Sequence, residues 1–346
     1  MNNIQILFGI ELPIIQAPMA GVQAGAMAVA VSNAGGLGSL PCAMLTPEAL
    51  RSELQLITTQ TSRPYNVNFF CHTPPVPDAA REARWRAALA PYYAEHGLDP
   101  DAVPAGGGRS PFTAEAADLL EAFRPPVVSF HFGLPAPALL ARVKAWGAKV
   151  IASATTVDEA VWLEQHGADA VIAQGLEAGG HRGLFLTDDL TTQVGTMALL
   201  PQVVRAVSVP VIAAGGIADR AGVQAAMALG AAGVQVGTAY LLCDEATTGA
   251  LQRAALVSER ARHTVLTNLI TGRPARGIVN RLMRELGPLS EVAPAFPLAT
   301  AALQPLKAAA EKQGHDDFTT LWSGQNASGC RNIPAARMTR LLAGVA

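Results

Sequence analysis

Short runs of β-branched and apolar residues recur along the chain, each followed by a longer stretch with helical character. This alternation limits the fold more than any other feature of the sequence. The runs are PIIQAP (13–18), LGSL (37–40), YNVNFF (65–70), VVSFHF (127–132), KVIASA (149–154), AVIAQG (170–175), PVIAAG (210–215) and GVQVGTA (233–239). They are apolar on both faces, as parallel strands covered on each side must be. Helices fit between them, for example at 46–57, 135–147, 156–167 and 219–230. Thr46 before Pro47 is a helix-start signal, and Gly147, Gly167 and Gly230 are stop signals. About eight βα units over roughly 250 residues is the arithmetic of a TIM (β/α)8 barrel. A doubly wound open sheet is the alternative, because strand order cannot be read from a sequence. No sequence motif repeats with the units.

Two regions break the alternation. Residues 71–126 form an insertion after the third strand, with a charged helical piece, a Gly-rich link at 105–111 and a second helix, TAEAADLLEAF. Residues 251–346 form a C-terminal helical extension with proline breaks, beyond a barrel of residues 1–250. Both are expected to cover the active-site end of the barrel.

Half of the residues are hydrophobic and 15% are charged, so a large core is expected and disorder is not. A net charge of -2 gives no electrostatic reason to expect nucleic acid or an anionic membrane as partner. The longest uncharged run, Ala221 to Cys243, is broken by glycines and glutamines. It reads as a buried helix, turn and strand rather than a membrane span. Cys42, Cys71, Cys243 and Cys330 lie far apart and contain no CxxC pair, so no metal site is expected and the thiols suit a reducing cytosol. The N-terminus shows no secretion signal, which adds to a cytoplasmic expectation. Monomer and homodimer both stay open.

Barrel active sites gather at the C-terminal ends of the strands. The last two barrel strands are followed by AAGGI (213–217) and QVGTA (235–239). Gly215 and Gly216 permit close backbone approach, and Gly237 and Thr238 add an N–H and a hydroxyl. Together they suit a phosphate held by neutral donors. NAGGLGSL (33–40) lacks the GxGxxG spacing and leads into a strand, so it reads as a helix stop and tight turn. QGLEAGGHRG (174–183) sets His181 and Arg182 beside a Gly-Gly pair at a strand end, which is either a surface turn or a catalytic loop.

Taken in order, PIIQAPMAG, VSNAGGLGSL, NVNFFCH, VSFHFG, AQGLEAGGHRG, VIAAGGI and GVQVGTAYLLC resemble the successive motifs of the class I nitronate monooxygenases, formerly 2-nitropropane dioxygenases. TGRPARGIVNRL (271–282) and WSGQ (322–325) extend the resemblance over nearly the whole chain. It implies a barrel binding FMN without a covalent bond. The phosphate would sit at Gly216 and the Gln235-Val236-Gly237-Thr238 stretch. Asn68, Gln174 and Gly179 match cofactor-contacting positions, Gly180 adjoins them, and Met19 lies in the segment beside the flavin. His181 matches the family's catalytic histidine and His131 a second histidine at the substrate end.

The implied reaction oxidises alkyl nitronates of the propionate 3-nitronate type with dioxygen, without NAD(P)H, in a cytoplasmic detoxification role. The cofactor carries the redox chemistry, and the protein binds and orients. Two imidazoles could supply donors or charge to an anion, and His181 could remove an α-proton from a neutral nitroalkane. The Gly-Gly pair would give the loop freedom to bring that imidazole to the flavin. Glu177 reads as a solvated carboxylate, with a second acid as the alternative, and Arg182 reads either as an attractor of the anion or as a surface or ion-pairing arginine. Arg273 and Arg276 are expected to order the extension against the barrel. One departure stands out: Phe296, Thr300 and Gln304, with Lys307 nearby, occupy a stretch where the family often carries tyrosines and a lysine. That departure points to a moved substrate preference. The competing readings are an NAD(P)H-dependent FMN reductase for a quinone or enoyl thioester, and a flavin-free barrel isomerase or lyase for a phosphorylated metabolite.

Overall fold

The computed structural model describes residues 4–100, 102–103 and 109–345; residues 105–108 of the expected Gly-rich link lie outside them. All eight expected strands form: β1 (Ile14–Gln16), β2 (Gly38–Pro41), β3 (Tyr65–Phe70), β4 (Val127–His131), β5 (Lys149–Ala154), β6 (Ala170–Gln174), β8 (Val211–Ala214) and β9 (Gly233–Val236). Between β6 and β8 lies a two-residue strand, β7 (Gly180–His181).

The eight long strands run parallel in the order β1-β9-β8-β6-β5-β4-β3-β2. A parallel bridge between Ile15 and Leu37 brings the two end strands together and closes the barrel. Gln16 N donates to Leu37 O at 3.0 Å, and Leu37 N to Ile14 O at 2.9 Å. The closed barrel, not the open sheet, is therefore the fold, and every strand is buried on both faces. Helix 25–33 lies so close to β2 that a side chain at Gly38 would strike Ala28 O. That contact explains the second half of NAGGLGSL as a packing site.

Inside, Ile15, Leu37, Val127, Ile151 and Ile212 fill the lower barrel, and the short helix Ile4–Phe8 plugs its N-terminal end. Toward the other end the lining turns polar. Gln16, Gln23, Ser39, Asn66, Asn68 and Ser129 are buried and hydrogen-bonded to one another. The expected helix signals hold: Thr46 accepts from Ala49 N ahead of helix 47–60, and Gly147, Gly167 and Gly230 all take positive φ.

The insertion divides between two bodies. Its second helix, Ala114–Phe123, joins the barrel wall beside helices 47–60 and 137–145. Its first helix, Ala79–Glu95, packs on helix Ala299–Lys312 of the extension, where Trp85 Nε1 donates to Ala299 O at 3.2 Å and Tyr93 Oη to Ala302 O at 2.7 Å. Trp85, Leu89, Leu269, Leu303, Leu306 and Phe318 belong to the resulting second core.

The extension is not helical throughout. It contributes β10 (Thr264–Thr267) and β11 (Ala275–Ile278), an antiparallel pair that continues through β11 onto β7. Its last helix, Ala335–Ala343, returns to the barrel and packs against helices 25–33 and 220–228. There Thr339 Oγ1 pairs with Tyr240 Oη at 2.9 Å, so this helix takes the eighth place in the outer ring. Among the described residues no helix is long and apolar enough to cross a membrane.

Candidate active site

A cavity of about 700 Å³ lies between the C-terminal ends of the strands and the second core. Its lining includes every expected catalytic, substrate-end and cofactor residue: Met19, Asn68, His131, Gln174, Gly179, Gly180, His181, Gly215, Gly216, Gln235, Val236, Gly237 and Thr238. They sort into two ends.

The first end is made of backbone. Gly215 and Gly216 follow β8 with φ of 120° and 72°. Gly237 precedes a 3-10 helix, Thr238–Leu242, whose first N–H groups have no helical partner. The WSGQ segment straps across these loops. Gly324 N donates to Thr238 Oγ1 at 2.9 Å, Gln325 N to Glu177 O at 3.0 Å, and Asn326 Nδ2 to Gly216 O at 3.1 Å. The strap runs so close that a Cβ on Gly179 would stand 2.5 Å from Gly324 N. Neutral donors without a cation suit a phosphate. Asn68 is fixed by its Nδ2 donating to Ser129 Oγ at 2.9 Å, which leaves Oδ1 as an acceptor. The buried Gln235 Oε1 accepts no hydrogen bond from any described residue. Such an orphaned acceptor needs a donor from outside the chain, and the N–H edge of a flavin ring would supply one. The residues present therefore fit a flavin nucleotide.

The second end is made of side chains. His181 sits on β7, held in register by β11, with Ala275 opposite His181 and Arg276 opposite Gly180. The Gly-Gly pair thus does not loosen a loop; Gly180, at φ 70°, shapes the entry to a paired strand. Two donors converge on the His181 carbonyl: Gln174 Nε2 at 2.9 Å and His131 Nε2 at 3.2 Å. Because a carbonyl only accepts, His131 carries its proton on Nε2, and its Nδ1 accepts from Ser153 Oγ at 3.1 Å. Both ring nitrogens of His131 are therefore engaged within the protein. Gln174 is committed in the same way, its Oε1 accepting from Gly183 N at 2.8 Å.

The His181 ring contacts Thr271, with Nε2 2.9 Å from Oγ1. With the Thr271 hydroxyl assigned as donor to Arg273 O, 3.4 Å away, His181 takes the Nε2–H tautomer and donates to Thr271 Oγ1. Nδ1 is left as a bare lone pair without a hydrogen-bond partner among the described residues. Burial, then the charges of Arg109, His131 and Arg273, hold His181 well below the ordinary histidine pKa. Burial likewise takes His131 down to about 4. Both imidazoles are neutral near pH 7, so of the two contributions expected of them, donors or charge, the charge is absent.

Arg182 is not at the surface but fully buried, and it is not ion-paired among the described residues. Its guanidinium donates to Gln193 Oε1, Gly175 O and Gln174 O at 2.9, 2.6 and 2.7 Å, which ties the end of β6 to β7. Glu177 caps helix 196–206, its Oε2 accepting from Thr196 N and Oγ1, each at 2.8 Å. Arg273 bonds Leu184 O just after β7, and Arg276 bonds Leu176 O between β6 and β7 at 2.9 Å, so both tie the extension to the segments flanking β7.

Phe70, Phe132, Phe296 and Trp322 surround His181, with ring centroids 5.3–6.0 Å away. Phe132, directly after His131, holds a left-handed φ of 69°, which costs a non-glycine residue strain. The sequence reading gave no role to Thr271, Ser153 or Arg109. Of these only Thr271 carried a signal, as the first residue of TGRPARG.

The family model for nitronate monooxygenase matches residues 2–342. The chain belongs to the nitronate monooxygenase family. It is 43% identical to a nitronate monooxygenase of Paraburkholderia phytofirmans over 341 residues, covering 97% of this chain and 92% of that one. It is equally 43% identical to a nitronate monooxygenase of Pseudomonas aeruginosa, covering 97% and 96%. Among solved structures it is similar to nitroalkane oxidase from Streptomyces ansochromogenes, with a TM-score of 0.88 at 39% identity over 99% of this chain and 96% of that one. As a nitronate monooxygenase the chain is a flavin-dependent oxidoreductase that oxidises nitronates.

Proposed function

We propose that the cavity binds FMN and that the chain oxidises alkyl nitronates with dioxygen, without NAD(P)H, in the cytoplasm. The observation that carries this reading is the division of one cavity into a neutral N–H end and an aromatic end with a bare imidazole nitrogen. Gly216, Gly237 and Thr238 would hold the phosphate, and Gln235 and Asn68 would meet the ring edge. When bound, the flavin supplies the electron acceptor for an electron-rich nitronate.

The protein's own part is positional. His181 Nδ1, kept neutral and aimed by Thr271, takes the α-proton of a neutral nitroalkane and so produces the nitronate in place. For a nitronate that arrives already deprotonated this step is not needed, and positioning falls to the aromatic walls around the ring. Phe70, Phe132, Phe296 and Trp322 exclude water from the reacting carbon and strengthen every polar contact there. His131, through the His181 carbonyl, fixes the strand that carries the base.

The test is oxygen uptake by the FMN-loaded protein on adding propionate 3-nitronate with no NAD(P)H present. Uptake with nitrite release is expected. A yellow protein that consumes no oxygen until NADH or NADPH is added contradicts the reading in favour of a reductase. A protein that binds no flavin contradicts it altogether.

A further inference from the structure

The cavity's lining contains two cations, Arg109 and Lys307, and two carboxylates, Glu177 and Glu311. Three of the four are accounted for. Glu177 caps a helix. Lys307 Nζ stands 3.9 Å from Glu311 Oε1, one helical turn on, and Glu311 also accepts from Thr319 Oγ1 at 2.7 Å. Arg109 is different. No carboxylate pairs with it among the described residues, and its one side-chain hydrogen bond is a long one, Nη1 to Thr300 Oγ1 at 3.4 Å. Thr300 in turn spends its proton on Ile270 O at 3.0 Å.

The nearby arginines are committed elsewhere, although the buried Nε of Arg273 has no partner among the described residues. Arg182 has three acceptors, Arg276 bonds Leu176 and Thr264, and Arg273 lies over the Phe132 ring at 4.2 Å while bonding Leu184 O. A guanidinium removed from bulk water without a counter-charge is costly unless an anion joins it. Phe296 sets its distance from the chemistry. The Phe296 ring centroid lies 6.0 Å from Arg109 Cζ and 5.3 Å from the His181 ring. One aromatic ring therefore separates the base from the unpaired charge.

We infer that Arg109 is a specificity residue that binds a second anionic group, a carboxylate, at the far end of a short-chain nitronate. This rests on the nitronate reading of the site. Its planar fork offers two parallel N–H donors to a carboxylate, with Thr300 beside it and Gln304 in the same cavity lining. The substrate would lie along Phe296, with its nitro-bearing carbon at His181 and its carboxylate at Arg109. Phe296 supplies an apolar wall and the insertion supplies the cation, so the tail is recognised by charge.

The experiment compares propionate 3-nitronate, with a carboxylate tail, and ethyl nitronate, with none, on wild type, Arg109→Gln and Arg109→Lys. Flavin absorbance and melting temperature are recorded for each protein. Arg109→Gln is expected to lose about 30-fold in kcat/KM on the carboxylated substrate, mainly through KM, and less than about 3-fold on ethyl nitronate. Arg109→Lys should recover part of the loss. An equal loss on both substrates, or none on either, overturns the assignment. Calorimetric titration with succinate, which carries a carboxylate at each end, needs no turnover. Wild type should bind it and Arg109→Gln about tenfold more weakly. No binding to wild type, or equal binding by the two proteins, overturns the assignment. Succinate binding that depends on Arg109, without oxidation of either nitronate, would contradict the proposed reaction while sustaining this subsite.

Discussion

The two ends of the cavity are built from different materials. The phosphate-side end is backbone: glycines after β8 and β9, a 3-10 helix start and a strap from the C-terminal extension. The other end is side chains brought from β3, β4, β7, the insertion and the extension. A backbone cradle tolerates most changes that leave its glycines small. A side-chain cage depends on every hydrogen-bond partner that aims a ring. The first should fail by steric blockage and the second by misdirection, and substitutions can separate the two failures.

Leaving the base itself aside, the largest effect is expected at the backbone end. Gly179→Val puts side-chain carbon against Gly324 N and Ser323 C, both backbone atoms that cannot step aside cheaply. Flavin affinity should fall by roughly 100-fold, the scale of a severe overpacking cost, read by titrating apo-protein with FMN. Unchanged affinity would mean that the strap does not close on the cofactor.

At the side-chain end, His131→Ala removes one of two donors to the His181 carbonyl. It should lower kcat on nitronate by about 30-fold with flavin content unchanged, the cost of misplacing a reacting group. His131→Gln keeps an N–H donor at the reach of Nε2 and should return to within about 5-fold of wild type. If His131 instead bound substrate directly, the loss would fall on KM and glutamine would not rescue kcat.

The smallest effect is on the pH profile near neutrality. A base is active when deprotonated, and the His181 pKa lies well below 6.5. Between about pH 8 and 6.5, kcat/KM on a neutral nitroalkane should change by less than about 2-fold; an acid limb centred on 6.5 would contradict the neutral imidazole. Stability has its own sign. His72 and His131 have folded pKa values of about 4, below their unfolded 6.5, so the unfolded chain binds protons first on acidification. Their contribution is complete above 6.5 and is lost as pH falls through 4. Melting temperature against pH should show that decline, and His131→Gln should lessen it.

The same contrast explains what could be read from the sequence. Strands apolar on both faces and glycines at strand ends carry their meaning locally, so the barrel and the phosphate-side end were legible at β8 and β9. His181 stood out because it follows a Gly-Gly pair. Its aim did not, because Thr271 lies ninety positions away and meets it only after β11 pairs with β7. Arg182 was misread because a lone arginine beside glycines looks exposed, whereas three buried acceptors wait for it. The last helix was assigned to the extension, since nothing local in 335–343 shows that it returns to the barrel. Arg109 gave no signal at all. Its isolation depends on which carboxylates the fold keeps away from it.

The most direct test of the division is His181→Asn, with flavin content and turnover measured on one preparation. The account predicts a yellow protein with FMN affinity within about 3-fold of wild type and oxidation of neutral nitroalkane reduced by about a thousandfold, the middle of the range for loss of a general base. A colourless protein would show that the two ends are one site. A yellow protein with full nitroalkane turnover would show that His181 is not the base.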